Sequence, residues 1–162
     1  MNKEIKPKGF IISNQCIQCG LCQKNCLQQC ISNYKIQKED INYGGHVGNE
    51  RALLFFQMAR MNFFESLGLS EMDLGEGAGV IQKNGFVEYN KQLFLDDSIV
   101  IKITEIEFSK TSFNIKYEIF NENDEKVING STLLVCFDYS THRIKRVPNS
   151  FKEKCLEIIE EK

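Results

Sequence analysis

The sequence has no surplus of positive charge, no long apolar run and no internal repeat or low-complexity tract. Lys and Arg total 20 against 22 Asp and Glu, giving a net charge of -2 and a pI near 5.8, and no face is obviously basic. A nucleic-acid partner therefore lacks its electrostatic footprint. The opening residues MNKEIKPKGFIIS carry lysines but only a very short apolar stretch. They fit neither a secretory signal nor a membrane span, so no membrane association is expected and the protein is expected in the cytoplasm. With 162 residues, 42% of them apolar, the chain can furnish one real core with a small appendage rather than two independent domains.

What is present is organised around Asn42 to Leu67, NYGGHVGNERALLFFQMARMNFFESL. A glycine-rich polar loop feeds a helix interrupted by polar residues only at Gln57, Arg60, Asn62 and Glu65, an apolar arc far wider than a surface helix shows, so something must wrap it. Gly44, Gly45 and Gly48 allow backbone shapes closed to other residues, Asn49 is the expected N-cap, Glu50 adds negative charge to the first turn, and Gly68 ends the helix.

Five of the seven cysteines fall between Cys16 and Cys30, and such clustering in a cytoplasmic chain speaks for metal rather than disulfides. The spacing C-x2-C-x2-C-x3-C sets Cys16, Cys19, Cys22 and Cys26 close together, which suits the iron corners of a cubane better than one tetrahedral zinc held by two separated pairs. The segment resembles half of a bacterial two-cluster ferredoxin, and Gly20 adds to the likeness. The resemblance implies a 4Fe-4S cluster, with zinc as the alternative, and a possible electron-transfer partner. Leu27 stands where that family has a proline, and there is no second half, so the fourth ligand stays open between Cys26, Cys30 and a cysteine of a second chain. Cys136, among Leu133, Leu134, Val135 and Phe137, reads as a buried strand cysteine, and Cys155 receives no role.

Ser32 to Asp40 reads as a short strand entering the central loop. After Gly79 the period changes to two: Val80–Tyr89, Leu93–Glu107, Lys110–Phe120 and Val127–Phe137 read as strands, with NENDEK as a turn. In the third of these, Phe113, Ile115, Tyr117 and Ile119 face one way and Asn114, Lys116 and Glu118 the other. Phe151 to Glu160 forms a closing helix. The expected architecture is α+β, an antiparallel sheet wrapped around one helix. The domain reading is a cysteine-rich segment over 1–31 and a larger domain over 32–162.

DINYGGHVGNERALLFFQMARMNFFESLGLSE, followed by VEYNKQLFLDDSIVIKI, FSKTSFNIKYEI and VCFDYSTHRIKRVP, resembles hotdog-fold thioesterases of the 4-hydroxybenzoyl-CoA type from about Tyr34 to Phe151. The resemblance implies a hotdog fold, hydrolysis of an acyl-CoA thioester, and pairing into a homodimer or homotetramer with sites at the dimer interface. It places the substrate carbonyl near the backbone of Gly45 to Gly48, with Val47 and Asn49 beside it. Asn42 lies where many relatives carry the catalytic aspartate, and His46 matches a motif histidine. An amide cannot serve as nucleophile or general base, so His46, or an acid such as Asp40 or Glu50, would activate water while Asn42 positions it. A helix N-terminus suits the developing oxyanion.

Gln57 could touch an acyl group or be a satisfied buried amide, and Arg60 reads as pairing internally with an acid. Arg143, Lys145 and Arg146 read as a solvated turn, although they could meet CoA phosphates. The alternative reading is an acyl-CoA binding or redox-sensing protein that does not hydrolyse.

Overall fold

The computed structural model describes residues 3–5 and 30–160. Among the described residues seven strands form one antiparallel sheet: β1 Lys3–Ile5, β2 Ile31–Lys35, β3 Gly79–Tyr89, β4 Ser98–Phe108, β5 Ser112–Phe120, β6 Lys126–Asp138 and β7 Arg143–Ile144. Their order is β1-β4-β5-β6-β3, with β2 also on β4 and β7 on β6. Helix α1, Arg51–Ser66, lies against one face, and α2, Asn149–Glu160, closes the end.

The alternating residues do what a one-sided sheet requires. Phe113, Ile115, Tyr117 and Ile119 of β5 are all buried, as are Ile99, Ile101 and Ile103 of β4. A bulge between Ile103 and Glu105 then shifts the phase, so that Ile106 and Phe108 continue the buried face. Ala52, Phe55, Phe56, Ala59, Phe63 and Phe64 of α1 pack onto this face, where each large apolar side chain contributes about 1.5–3 kcal/mol. Phe56 stacks on Tyr117 with ring centroids 4.5 Å apart. Phe151 of α2 meets Phe64 edge-on at 5.6 Å, and Lys154 Nζ donates to the Leu67 carbonyl at 2.8 Å, so α2 fastens the C-terminal end of α1.

Three local expectations are corrected. The strand expected over Ser32 to Asp40 stops at Lys35, and Lys38–Asp40 is a 3-10 turn. The N-cap of α1 is Glu50 rather than Asn49, and it makes no side-chain capping bond. The strand expected over Leu93–Glu107 begins only at Ser98. Within one chain the sheet covers one side of α1, and Leu54 and Met61 stay 46% and 51% exposed. Gly68 ends the helix as expected. With φ at +72°, it lets its own N–H reach the Glu65 carbonyl at 2.9 Å and that of Leu69 reach Phe64 at 2.9 Å, a Schellman closure.

β1 and β2 lie end to end along the same edge of β4, Ile5 opposite Ile106 and Ile31 opposite Lys102. Residues 3–5 thus belong to the sheet, although they precede the cysteine segment. Cys16, Cys19, Cys22 and Cys26 lie outside the described residues. Cys30 is buried in the core, as are Cys136 and Cys155.

One polar cluster crosses the core. Arg60, its side chain 4% exposed, donates through Nε and Nη2 to Glu71 Oε1 at 2.7 and 2.6 Å and through Nη1 to Gln82 and Thr132 at 3.3 Å. Thr132 in turn shares a 2.9 Å bond with the Tyr117 hydroxyl. Glu71 is thus the acid that Arg60 was expected to find.

Candidate active site

The glycine-rich loop is a tight hairpin closed by an antiparallel bridge between Ile41 and Val47. The Asn42 N–H donates to the His46 carbonyl at 2.9 Å, and Gly45, at φ +79°, returns its N–H to the Asn42 carbonyl at 3.1 Å. Asn42 Oδ1 accepts the Gly44 N–H at 2.8 Å, and His46 Nδ1 lies 3.3 Å from the Gly44 carbonyl. A Cβ at Gly44 would stand 2.9 Å from His46 Cε1 and 3.1 Å from Asn42 Oδ1, so any other residue there would push on one of these two side chains. The imidazole and the amide are thereby gathered around one bare backbone position. When Nδ1–H donates to Gly44, the lone pair on Nε2 remains available as an acceptor.

The hairpin is held from below and from the side. The Gly48 N–H donates to the Asp40 carbonyl at 2.9 Å, and the Val47 N–H to the Leu93 carbonyl at 2.9 Å. The buried Asp40 carboxylate accepts the Tyr34 hydroxyl at 2.9 Å and the Gln37 N–H at 2.8 Å, with Arg51 Nε at 3.7 Å. Burial, reinforced by the bond to Asp40, pushes the Tyr34 phenol up to about 12. Glu50, its side chain 65% exposed, folds back over Gly48 with Arg51 Nε at 3.8 Å, and the Tyr89 hydroxyl donates to the Asn49 carbonyl.

A pocket of 510 Å³ opens beside this hairpin, inside the range for small-molecule sites. Asn42, Tyr43, His46, Val47 and Asn49 form one wall. The run Tyr89 to Leu93, where β3 ends, forms the other, with Ile128 of β6 beneath. Lys91 on this wall is paired with Glu125.

Of the residues expected from sequence, Asn42, His46, Val47 and Asn49 meet in the pocket. Asp40 lies under the hairpin as a structural knot, and Glu50 leans over Gly48; neither lines the pocket. Gly45 and Gly48 shape the loop, yet their N–H groups already have carbonyl partners, so neither is free to meet a substrate oxygen. The Arg51 N–H is taken by the Gly48 carbonyl at 3.0 Å, so the donors left beside Asn49 are those of Ala52 and Leu53 in the first turn of α1, which no side chain caps. Gln57 is a satisfied amide, donating to Glu71 Oε2 at 3.2 Å. Lys145 is tied to the Glu76 carbonyl at 2.7 Å, away from the pocket. Among the described residues no group of three or more His, Cys, Asp or Glu could hold a metal. Sequence reasoning missed Tyr43, Tyr89 to Leu93 and Ile128; the one available signal was that VEYNKQLF belongs to the resemblance.

Comparison with known proteins places these features in context. The family described as the Thioesterase-like superfamily matches residues 36–155. A putative esterase of Aquifex aeolicus (strain VF5) is 28% identical over 90 residues, 55% of this chain and 70% of that protein. The structure of Slr0204 from Synechocystis, a 1,4-dihydroxy-2-naphthoyl-CoA thioesterase, superposes with a TM-score of 0.71 at 17% identity, over 78% of this chain and 95% of the other. SAV2348 from Staphylococcus aureus, solved in complex with CoA, gives 0.70 at 14% identity, over 82% and 85%. At those identities the two structures share the fold with this chain. Among the described residues, no helix is long and apolar enough to cross a membrane.

Proposed function

Because the chain belongs to the Thioesterase-like superfamily, we propose that it hydrolyses the thioester of an acyl-CoA, with His46 as the base and the N-terminus of α1 as the oxyanion site. The observation that carries this reading is the uncapped start of α1 beside a pocket into which Asn42 and His46 are both gathered. Water attacks the thioester carbon while His46 Nε2 takes its proton. The oxygen of the tetrahedral intermediate takes up negative charge beside the N–H groups and positive dipole end of α1. Asn42 Oδ1 is held by the Gly44 N–H, so its amide nitrogen is the part free to orient water or the carbonyl. As the carbon–sulfur bond breaks, the imidazolium returns its proton to the leaving CoA sulfur, giving the free thiol and a carboxylic acid, which then loses its proton to water.

The binding energy for the CoA moiety and the second half of the site are assigned to a homodimer or homotetramer. A 4Fe-4S cluster, with zinc as the alternative, is assigned to Cys16, Cys19, Cys22 and Cys26, apart from the hydrolytic step and open to an electron-transfer partner. The burial of Cys30 supports Cys26 as the ligand that completes the set.

Release of free thiol from a panel of acyl-CoAs tests the reading. His46→Ala lowers turnover by about 10²- to 10⁴-fold, the ordinary contribution of a general base, and Asn42→Ala lowers it as well. Undiminished turnover in both variants removes this site. A second reading, an acyl-CoA binding or redox-sensing protein without hydrolysis, is favoured by one observation: among the described residues no carboxylate lines the pocket, with Asn42 where the resemblance has an acid and Asp40 engaged below. Intact CoA binding with no turnover on any thioester would establish it in place of the first.

A further inference from the structure

The pocket has a hard floor. Its rim residues are largely exposed, whereas Leu93 and Ile128 are 2% and 3% exposed. Beyond Ile128, the next residue of β6 on the same face of the sheet is Gly130. A Cβ at Gly130 would stand 2.1 Å from the Phe86 carbonyl oxygen and 2.8 Å from Phe56 Cε2, so the position is bare backbone with the Phe56 ring against it. The ring is fully buried and also lies flat on Tyr117, the partner of Gly130 on β5, with 9° between the ring planes. Phe56 therefore fills the seam between α1 and the sheet at the point where an acyl chain passing Ile128 would have to continue.

We propose that Phe56, seated on Gly130, is the stop that limits the acyl group to short or compact chains. This rests on the thioesterase reading and adds to it the class of substrate and the residue that sets it. A short aliphatic acyl group or a single ring fits above Ile128, and a medium or long chain meets the Phe56 ring. The ring is held on two sides, by the bare Gly130 backbone and by Tyr117, so it cannot turn aside without losing core packing.

The test is a straight-chain series from acetyl-CoA to palmitoyl-CoA together with benzoyl-CoA. It is read twice, as kcat/KM for hydrolysis and as the affinity of the corresponding non-hydrolysable acyl-thioether CoAs. In the wild type both quantities peak at the short end and fall at least about ten-fold for each further pair of methylenes past the limit, since one methylene in an apolar pocket discriminates by that order. Phe56→Ala and the milder Phe56→Leu move the peak of both quantities to longer chains; Phe56→Leu keeps the core filled and retains the test if Phe56→Ala does not fold. Wild-type affinity that rises steadily to palmitoyl, or a folded Phe56→Leu protein with an unchanged length profile, overturns the proposal. Length-graded binding that moves with Phe56 but is accompanied by no hydrolysis leaves the stop in place and removes the thioesterase reading instead.

Discussion

Cutting Glu71 back to alanine should destabilise the protein more than removing Arg60, its partner, altogether. The two ends of the pair differ in access to water, since the Arg60 side chain is 4% exposed and that of Glu71 23%. In Glu71→Ala the guanidinium stays in the core with only two neutral acceptors, Gln82 and Thr132, both at 3.3 Å. Stranding one member of a buried pair costs about 3 kcal/mol. Arg60→Met removes the charge, fills much of the same space and lets Glu71 turn toward solvent, so its cost is the lost hydrogen bonds, about 1 kcal/mol. For a chain of this size, 3 kcal/mol lowers Tm by about 6–12 °C, and 1 kcal/mol by about 2–4 °C. Urea titrations at one fixed protein concentration, scored by midpoint and slope, give the two free energies directly. An Arg60→Met protein that loses as much stability as Glu71→Ala, or more, would refute the argument that the cost lies in the uncompensated buried cation.

Other outcomes follow from the same packing. Burial pushes the Cys30 and Cys136 thiols up to about 12 and raises Cys155 as well, so native protein treated with iodoacetamide near neutral pH should leave all three unmodified by mass spectrometry; rapid labelling of any of them contradicts its place in the core. Gly68→Ala should cost about 1 kcal/mol in a thermal melt, because φ is +72° and nothing lies near the added Cβ to offset the strain; an unchanged Tm would mean the Schellman closure is not holding the helix end. In anaerobically purified protein, Cys26→Ser should lose iron and acid-labile sulfide, whereas Cys30→Ser should keep both and lose stability alone; the reverse result moves the metal ligand into the core.

The helix and the sheet were legible because their periods are strong. The run from Ala52 to Leu67 and the alternation from Phe113 to Ile119 each permit one structure, and both occur where expected. Cap and turn details were less legible: Asn49 is the better capping residue by type, but its carbonyl is taken up by Tyr89, which arrives from a strand that sequence cannot place in space. The same reason hid half of the pocket. Asn42 and His46 announce themselves within one motif, while Tyr89 to Leu93 are ordinary polar and apolar residues whose role comes only from the register of β3 against β6. Arg60 shows the intermediate case, a buried charge whose need for an acid could be read but whose partner, Glu71, could not.

The divided edge of β4 has a consequence for the cysteine segment. β1 and β2 run in the same direction along one side of that strand, and the register points Ile106 and Lys102 are separated by residues that roughly three more would span, yet the chain uses residues 6 to 30 to join them. The described strands on either side of the segment therefore lie on one edge, and a short bridge in place of residues 6 to 30 should leave the sheet continuous. Lengthening such a connection costs little, about 0.6 kcal/mol for each doubling, so the sheet can carry the segment without being built around it. Both of its ends nevertheless grip the same strand.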